Sequence, residues 1–217
     1  MPDHSPRRLL DDVPEGDRRR LLTAARRRTF GRGEVVFHES DPADALHLVI
    51  RGRFAVRIVT PLGDTVTLAL RGPGESFGEL AVVSDDPHRS ATVESLDAGE
   101  TRAIRKPELD ALRREHPHVT DVLIALLADE IRATNARLVE AITVDARRRL
   151  LRRLLDLAAG TGDASLRITQ VELASLAGTS RATANRVLRA EERRGTLTLT
   201  RGRIELLDRV RLERRAR

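Results

Sequence analysis

The stretch Phe77-Gly78-Glu79-Leu80-Ala81, followed eight residues after Ala81 by Arg89-Ser90-Ala91-Thr92, combines what is needed to hold one small phosphorylated ligand. Glycine lets a backbone come close to a ligand. A carboxylate such as Glu79 accepts hydrogen bonds from sugar hydroxyls and repels a phosphate, whereas the planar fork of Arg89 matches phosphate oxygens. Two opposite tasks in one short segment point to a sensor pocket. Spacing alone allows an ordinary Glu79–Arg89 ion pair between surface loops equally well, so the surroundings must decide.

Outward from this segment, residues from about Thr29 to Arg105 read as short strands: Glu34 to Phe37, Ala45 to Ile50, Phe54 to Val59, Thr65 to Leu70, Ala91 to Ser95 and Thr101 to Ile104. Gly31, Gly33, Gly52, Gly63, Gly72 and Gly74 punctuate them. Many short strands with regular turn signals predict an antiparallel sandwich or barrel. Leu9 to Arg28 reads as a helix over one end. Pro73 to Leu80 reads as a tight turn running into a helical turn, where backbone amides can cradle an anion.

From about Pro117 to Val144 the pattern is one long amphipathic helix. Leu123, Leu127, Ile131, Thr134, Leu138 and Ala141 or Ile142 recur at spacings of three and four, close to a heptad seam. Such a seam over more than five turns calls for a partner helix and predicts a parallel homodimer. Thr134, with Asn135 beside it, interrupts the seam; it either sets coiled-coil register or meets a ligand buried at the dimer interface.

The last region opens with a helix from Asp145 to about Ala159 and a loop over Gly160 to Asp163. Thr169-Gln170-Val171-Glu172 then forms a capping box, with Ile168 and Leu173 at the positions of a hydrophobic staple. That helix ends near Ala177-Gly178, and Ser180 caps a second one, which makes a helix-turn-helix. On the second helix Ala184, Val187 and Glu191 face one side, flanked by Leu188. Ala182, Asn185, Arg186 and Arg189 face the other, with Arg181 at the N-terminal edge. Arginine pairs bidentately with guanine and asparagine with adenine. Leu197 to Leu206 alternates around Arg201-Gly202-Arg203 and reads as a two-stranded wing with a basic tip.

Composition agrees with this division. At 217 residues there is room for two small domains. The net charge of +6 hides an asymmetry: Asp145 to Arg217 holds 18 Arg and 9 acids, net +9, while Met1 to Val144 holds 21 Lys or Arg and 24 acids, net −3. The C-terminal surplus is the footprint of a nucleic-acid-binding module, with an Arg-rich solvated surface as the plainer alternative. All four Phe (Phe30, Phe37, Phe54, Phe77) lie in the acidic part, and there is no Trp or Tyr. A basic part without an aromatic platform favours duplex DNA over single strands or RNA. The absence of cysteine excludes a disulfide framework, a thiolate zinc site and a cysteine-ligated cluster. No apolar run approaches the roughly 20 residues that span a bilayer. Met1 to Arg8 has no apolar segment resembling a signal peptide, so the expected location is cytoplasmic, without a membrane partner. The six His show no metal-ligand spacing, and no nucleophile–base pair stands out, so neither a metal site nor a catalytic residue is assigned.

Together these residues resemble the cyclic AMP receptor protein and fumarate/nitrate reduction regulator family of bacterial transcription factors, over nearly the whole chain. Ala45 to Val56 is similar to that family's β-roll pattern, Phe77 to Ala81 with Arg89-Ser90-Ala91 to its phosphate-binding cassette, and Ile168 to Ala174 with Thr179 to Thr183 to its helix-turn-helix. The resemblance implies an α+β chain: a β-roll cyclic-nucleotide-binding domain over residues 1–116, a dimerisation helix over 117–144 and a winged helix-turn-helix over 145–217.

It also implies roles. Gly78 and Glu79 would hold a ribose, Arg89 and Ser90 the cyclic phosphate, Thr134 the adenine, and Asn135 the purine from across the dimer. Cyclic AMP is the implied effector, with cyclic GMP as a weaker or competing ligand. Thr169, Gln170, Ser180, Arg181, Ala182, Asn185, Arg186, Arg189, Arg201 and Arg203 would meet duplex DNA, and RNA polymerase would be a further partner. Ala182 departs from the glutamate that reads a cytosine in the family's best-known member, and Asn185 from that member's glycine, so the half-site is expected to be relaxed or altered there. A family member active without nucleotide, or a cyclic-nucleotide-binding subunit that controls a partner protein, remain the alternatives.

Overall fold

The computed structural model describes residues 14–61, 63–84, 86, 88–161 and 164–217. In chain order the elements are α1 (Glu15–Ala24), β1 (Arg26–Phe30), β2 (Val35–Phe37), β3 (Ala45–Arg51), β4 (Phe54–Val59), β5 (Thr65–Arg71), β6 (Ser76–Phe77), α2 (Leu80–Val83), β7 (Thr92–Ser95), β8 (Gly99–Arg105), α3 (Lys106–Glu115) and α4 (His118–Thr143). There follow α5 (Ala146–Thr161), β9 (Ser165–Leu166), α6 (Gln170–Leu176), α7 (Arg181–Arg193), β10 (Leu197–Thr200), β11 (Arg203–Leu206) and α8 (Arg209–Ala216). The described chain divides into two compact units. One runs to Val59 and resumes over Leu68–Thr134, and the other holds Thr60–Thr67 and Asn135–Arg217. Among the described residues no helix is long and apolar enough to cross a membrane.

The expected α+β class and antiparallel roll are observed. Two four-stranded sheets form, ordered β1-β8-β3-β6 and β2-β7-β4-β5. Alternation sends Phe30, Val36, Val49, Phe54, Phe77 and Val93 from strands of both sheets into one core. All four Phe belong to it or pack on it, Phe37 from the margin. Edge-to-face and tilted contacts link them, with Phe30 and Phe54 at 5.7 Å and Phe54 and Phe77 at 5.3 Å between ring centroids, a separation typical of favourable aromatic pairs. A second cluster on the same unit joins Leu46, Leu48 and Ile104 to Val82, Leu109, Val119 and Leu123 of α2, α3 and α4.

Several expectations need correction, among them the turn read over Pro73 to Leu80, within which Ser76–Phe77 forms β6 and pairs with β3. The helix expected to run through Arg28 stops at Ala24, and its Leu9–Val13 part lies outside the described residues. Arg26–Phe30 is instead a strand, paired antiparallel with β8 from Arg26↔Ala103 to Phe30↔Gly99. Only Phe30 of this strand is buried, so edge pairing rather than an apolar pattern fixes it. Leu123 does not belong to an outward seam, because it is buried in the unit's own core. The exposed large apolar residues of α4 are Ile124, Ile131, Leu138, Val139 and Ile142, and a spacing of seven runs from Ile124 to Ile131 to Leu138. Finally, the wing is three-stranded: β9 adds to β11 in the order β10-β11-β9.

The second unit has its own core, in which Leu150, Leu151 and Leu154 of α5 meet Leu173, Ala184, Leu188, Leu197, Ile204 and Leu212. The loop expected from Gly160 begins later, since α5 extends to Thr161; Gly162 and Asp163 lie outside the described residues. Arg149 joins two helix ends. Its guanidinium donates to the carbonyls of Ala141 in the last turn of α4 and Val144 just beyond it, and of Ala177 and Gly178 after α6, at 2.6–3.3 Å. One side chain thus satisfies carbonyls that helix C-termini leave without intrahelical partners.

Candidate ligand pocket and nucleic-acid interface

Gly78 ends β6 at φ +78, in the left-handed region that glycine enters at no steric cost. A Cβ there would lie 2.7 Å from a guanidinium nitrogen of Arg89 and 3.1 Å from the Ala45 carbonyl oxygen. Arg89 is 5% exposed. Its Nη1 donates to the Ala45 carbonyl at 2.8 Å, its Nη2 to Asp44 at 2.9 Å, and the fork lies over the Phe37 ring 4.0 Å from the centroid. Nε is buried with no hydrogen-bond partner. A buried charge-bearing donor without an acceptor is costly, and this one belongs to a residue that lines a cavity of about 210 Å³ together with Gly78, Glu79, Ser90, Arg71 and Glu130.

The Glu79–Arg89 ion pair weighed in the sequence does not form; Asp44 is the partner of Arg89. Burial pulls the Arg89 guanidinium below the ordinary arginine value, and Asp44 is the strongest influence in the other direction. Burial likewise pushes the Glu79 carboxyl above the ordinary carboxylate range; its own backbone N–H and then Arg71 draw it back, while Glu130 pushes it up. Arg71 and Glu130 are themselves paired at 2.6 Å. Beneath the cassette His47 stacks on Phe77, 5.0 Å between centroids, with Nδ1 3.1 Å from the Thr101 hydroxyl oxygen. Burial lowers its pKa to about 3, with Arg89 contributing, so this ring is a neutral packing element.

The structure therefore brings Gly78, Glu79, Arg89 and Ser90 to one cavity, as the sequence led us to expect. Thr134 and Asn135 are exposed on α4 and are not among the cavity-lining residues. Sequence reasoning missed Asp44, Phe37, Arg71 and Glu130. No motif announces them, since Phe37 and Arg71 come from strands, Asp44 from the loop before β3 and Glu130 from α4.

In the second unit the capping box is complete: the Thr169 hydroxyl accepts from the Glu172 N–H at 3.1 Å, and the Glu172 carboxylate accepts from the Thr169 N–H at 2.6 Å. Ser180 caps α7 by accepting from the Thr183 N–H. Ala184, Val187, Leu188 and Glu191 are buried. Glu191 is held by Arg215 at 2.9 Å, with Arg147 and Arg194 each at 3.6 Å.

Arg181, Ala182, Asn185, Arg186 and Arg189 are all exposed, as are Arg201 and Arg203 at the wing tip. Arg189 is tied to Glu192 at 2.7 Å. The Asn185 amide donates to the Gln170 side-chain carbonyl at 2.8 Å. A groove of about 320 Å³ is lined by Thr169, Gln170, Arg181, Asn185, Arg201 and Arg203, together with apolar neighbours. Cations and amides at the N-terminal part of an outward helix, beside a basic wing, suit a DNA groove and its phosphates.

Comparison with known proteins matches a family model to each of the two regions. Residues 27–116 match the cyclic nucleotide-binding domain and residues 148–215 the Crp-like helix-turn-helix domain. A nucleotide-binding roll followed by a DNA-binding winged helix defines a class of bacterial transcription regulators. The chain is 34% identical over 198 residues to the CRP-like cAMP-activated global transcriptional regulator of Mycobacterium tuberculosis, covering 87% of each chain. It is 35% identical over 192 residues to the cyclic AMP receptor protein of Thermus thermophilus, covering 88% of each. The crystal structure of Thermus thermophilus catabolite activator protein superposes with a TM-score of 0.56 at 34% identity, covering 96% and 97% of the two chains. The c-di-GMP responsive global regulator CLP of Xanthomonas campestris shares the fold, with a TM-score of 0.79 at 24% identity over 89% and 99%. The chain belongs to the cyclic AMP receptor protein and fumarate/nitrate reduction regulator family.

Proposed function

We propose that this protein is a homodimeric, cytoplasmic transcription regulator that binds cyclic AMP in the roll and duplex operators through α7 and the wing, with RNA polymerase as a further partner. The observation that carries the ligand reading is Arg89: buried, stacked on Phe37 and fixed on both nitrogens of its fork, with Nε lacking an acceptor. A cyclic phosphate would supply the missing anion, and Ser90 a hydroxyl donor. Glu79, desolvated beside them, would accept from the ribose hydroxyl. Gly78 keeps the space that a Cβ would close.

The exposed Ile131, Leu138 and Ile142 of α4 would be buried against a second copy. That copy would bring Thr134 and, from across the interface, Asn135 to the purine. A ligand that touches both the roll and α4 binds differently to different arrangements of the paired helices, and only such differential binding shifts a population. The shift would set the two α7 helices to half-sites one helical turn apart. A subunit controlling a partner enzyme would need neither the capped α6–α7 pair nor the C-terminal basic surplus.

Isothermal titration calorimetry with cyclic AMP and cyclic GMP tests the ligand reading. Heat with cyclic AMP, weaker heat with cyclic GMP and none for Arg89→Ala are expected. No heat with either nucleotide at millimolar concentration overturns it.

A further inference from the structure

We infer that Asn185 reads an adenine in each operator half-site, and that Gln170 is the positioning residue that fixes the amide in the orientation needed to do so. The inference rests on the DNA-binding reading above and adds to it the base that this helix position selects. Asn185 is exposed on α7, one turn after Arg181, and lines the groove that the wing tip closes. Its amide nitrogen donates to Oε1 of Gln170 at 2.8 Å, from the first turn of the neighbouring α6.

A carboxamide carries two N–H donors and one carbonyl acceptor. With one N–H spent on Gln170, Asn185 keeps one donor and the carbonyl. That complement matches the major-groove edge of adenine, where N7 accepts and the N6 amino group donates. Guanine presents two acceptors, N7 and O6, so its O6 would face the Asn185 carbonyl. An unrestrained asparagine could answer by turning its NH2 toward both acceptors, but the contact with Gln170 removes that option. Cytosine would satisfy the carbonyl alone and leave the N–H unused. The backbone that carries Gln170 is set by the α6 cap, since Thr169 and Glu172 close the box around the first turn. Ala182, exposed three residues before Asn185, adds no polar group that could compete for the same edge.

The test is selection of the full-length protein, with cyclic AMP, on a library of random duplexes, followed by competition with single-base variants of the selected half-site. For Asn185→Ala the preference for adenine at one base pair should fall about tenfold to a hundredfold, with the other positions unchanged. Gln170→Ala should weaken discrimination at that same base pair by roughly threefold to tenfold. In the Asn185→Ala background it should leave the base profile unmoved, which a merely structural role would not predict. Circular dichroism checks that the exposed substitutions leave the fold intact. If Asn185→Ala keeps the wild-type profile, or the altered position is not an A·T pair, the inference is overturned. Failure of the wild type to retain any duplex would instead defeat the DNA-binding reading itself.

Discussion

Gly78→Ala separates a phosphate cradle from a generic roll. The added methyl would sit 2.7 Å from a guanidinium nitrogen of Arg89 and 3.1 Å from the Ala45 carbonyl oxygen, at a backbone φ of +78. A left-handed conformation costs a residue with a Cβ roughly 1–2 kcal/mol, which lowers the stability of the roll with or without ligand. The Ala45 oxygen is backbone and cannot rotate away, so relief must come from Arg89, which then loses its seat on that carbonyl. A hydrogen bond to a charged group contributes about 1.5–3 kcal/mol, and each 1.4 kcal/mol is tenfold in affinity.

Urea unfolding should therefore report a loss of about 1–2 kcal/mol. Calorimetry should report cyclic AMP binding weakened by roughly ten- to a hundredfold, short of the complete loss expected for Arg89→Ala. If Gly78→Ala is destabilised yet binds cyclic AMP as tightly as the wild type, Arg89 does not hold the phosphate and the reasoning fails.

Burial raises the Glu79 carboxyl above its unfolded value, so its neutral form favours the empty roll at low pH and that contribution is lost as pH rises through the raised value. A ribose hydroxyl donor favours the carboxylate, so cyclic AMP affinity should decline on acidification through the same value. Glu79→Gln should flatten that dependence in pH-resolved calorimetry, and an unchanged slope would remove Glu79 from the site. Leu138 is 59% exposed on the single chain; burying a leucine contributes about 1.5–3 kcal/mol, and a dimer buries two. Leu138→Glu should give monomers at micromolar concentration by analytical ultracentrifugation, whereas an intact dimer would place the interface elsewhere. Thr169→Ala breaks the capping box and should cost about 1 kcal/mol in thermal unfolding; no loss would mean that packing alone holds α6.

What could be read in the sequence followed from local rules. Alternation and glycine spacing located six of the roll's strands, and Thr169, Glu172 and Ser180 marked the helix starts because caps act within one turn. Elements held by distant partners were hidden. Arg26-Arg27-Arg28 continues a polar helical pattern, yet β8 claims it as a strand. The helix α3 is not assigned from the sequence; its Pro107 sits in the first turn, where the missing N–H costs nothing. The helix α8 shows only Leu212 and Ala216, four apart, as buried residues in a run of arginines. At the pocket, Gly78, Glu79, Arg89 and Ser90 lie within one short segment and could be grouped by eye. Asp44 and Phe37 come from other strands and loops, and nothing in their spacing announces that they hold Arg89. Leu123 and Ile124 are adjacent, and periodicity alone could not say which faces the chain's own core.

The central claim is that nucleotide in the roll changes DNA affinity, and binding of a selected operator-length duplex with and without cyclic AMP, at two salt concentrations, tests it most directly. Affinity should fall steeply with salt, as phosphate contacts by the basic C-terminal unit require, and binding should be markedly tighter when cyclic AMP is present. Equal affinity with and without the nucleotide, at both salt concentrations, would contradict it.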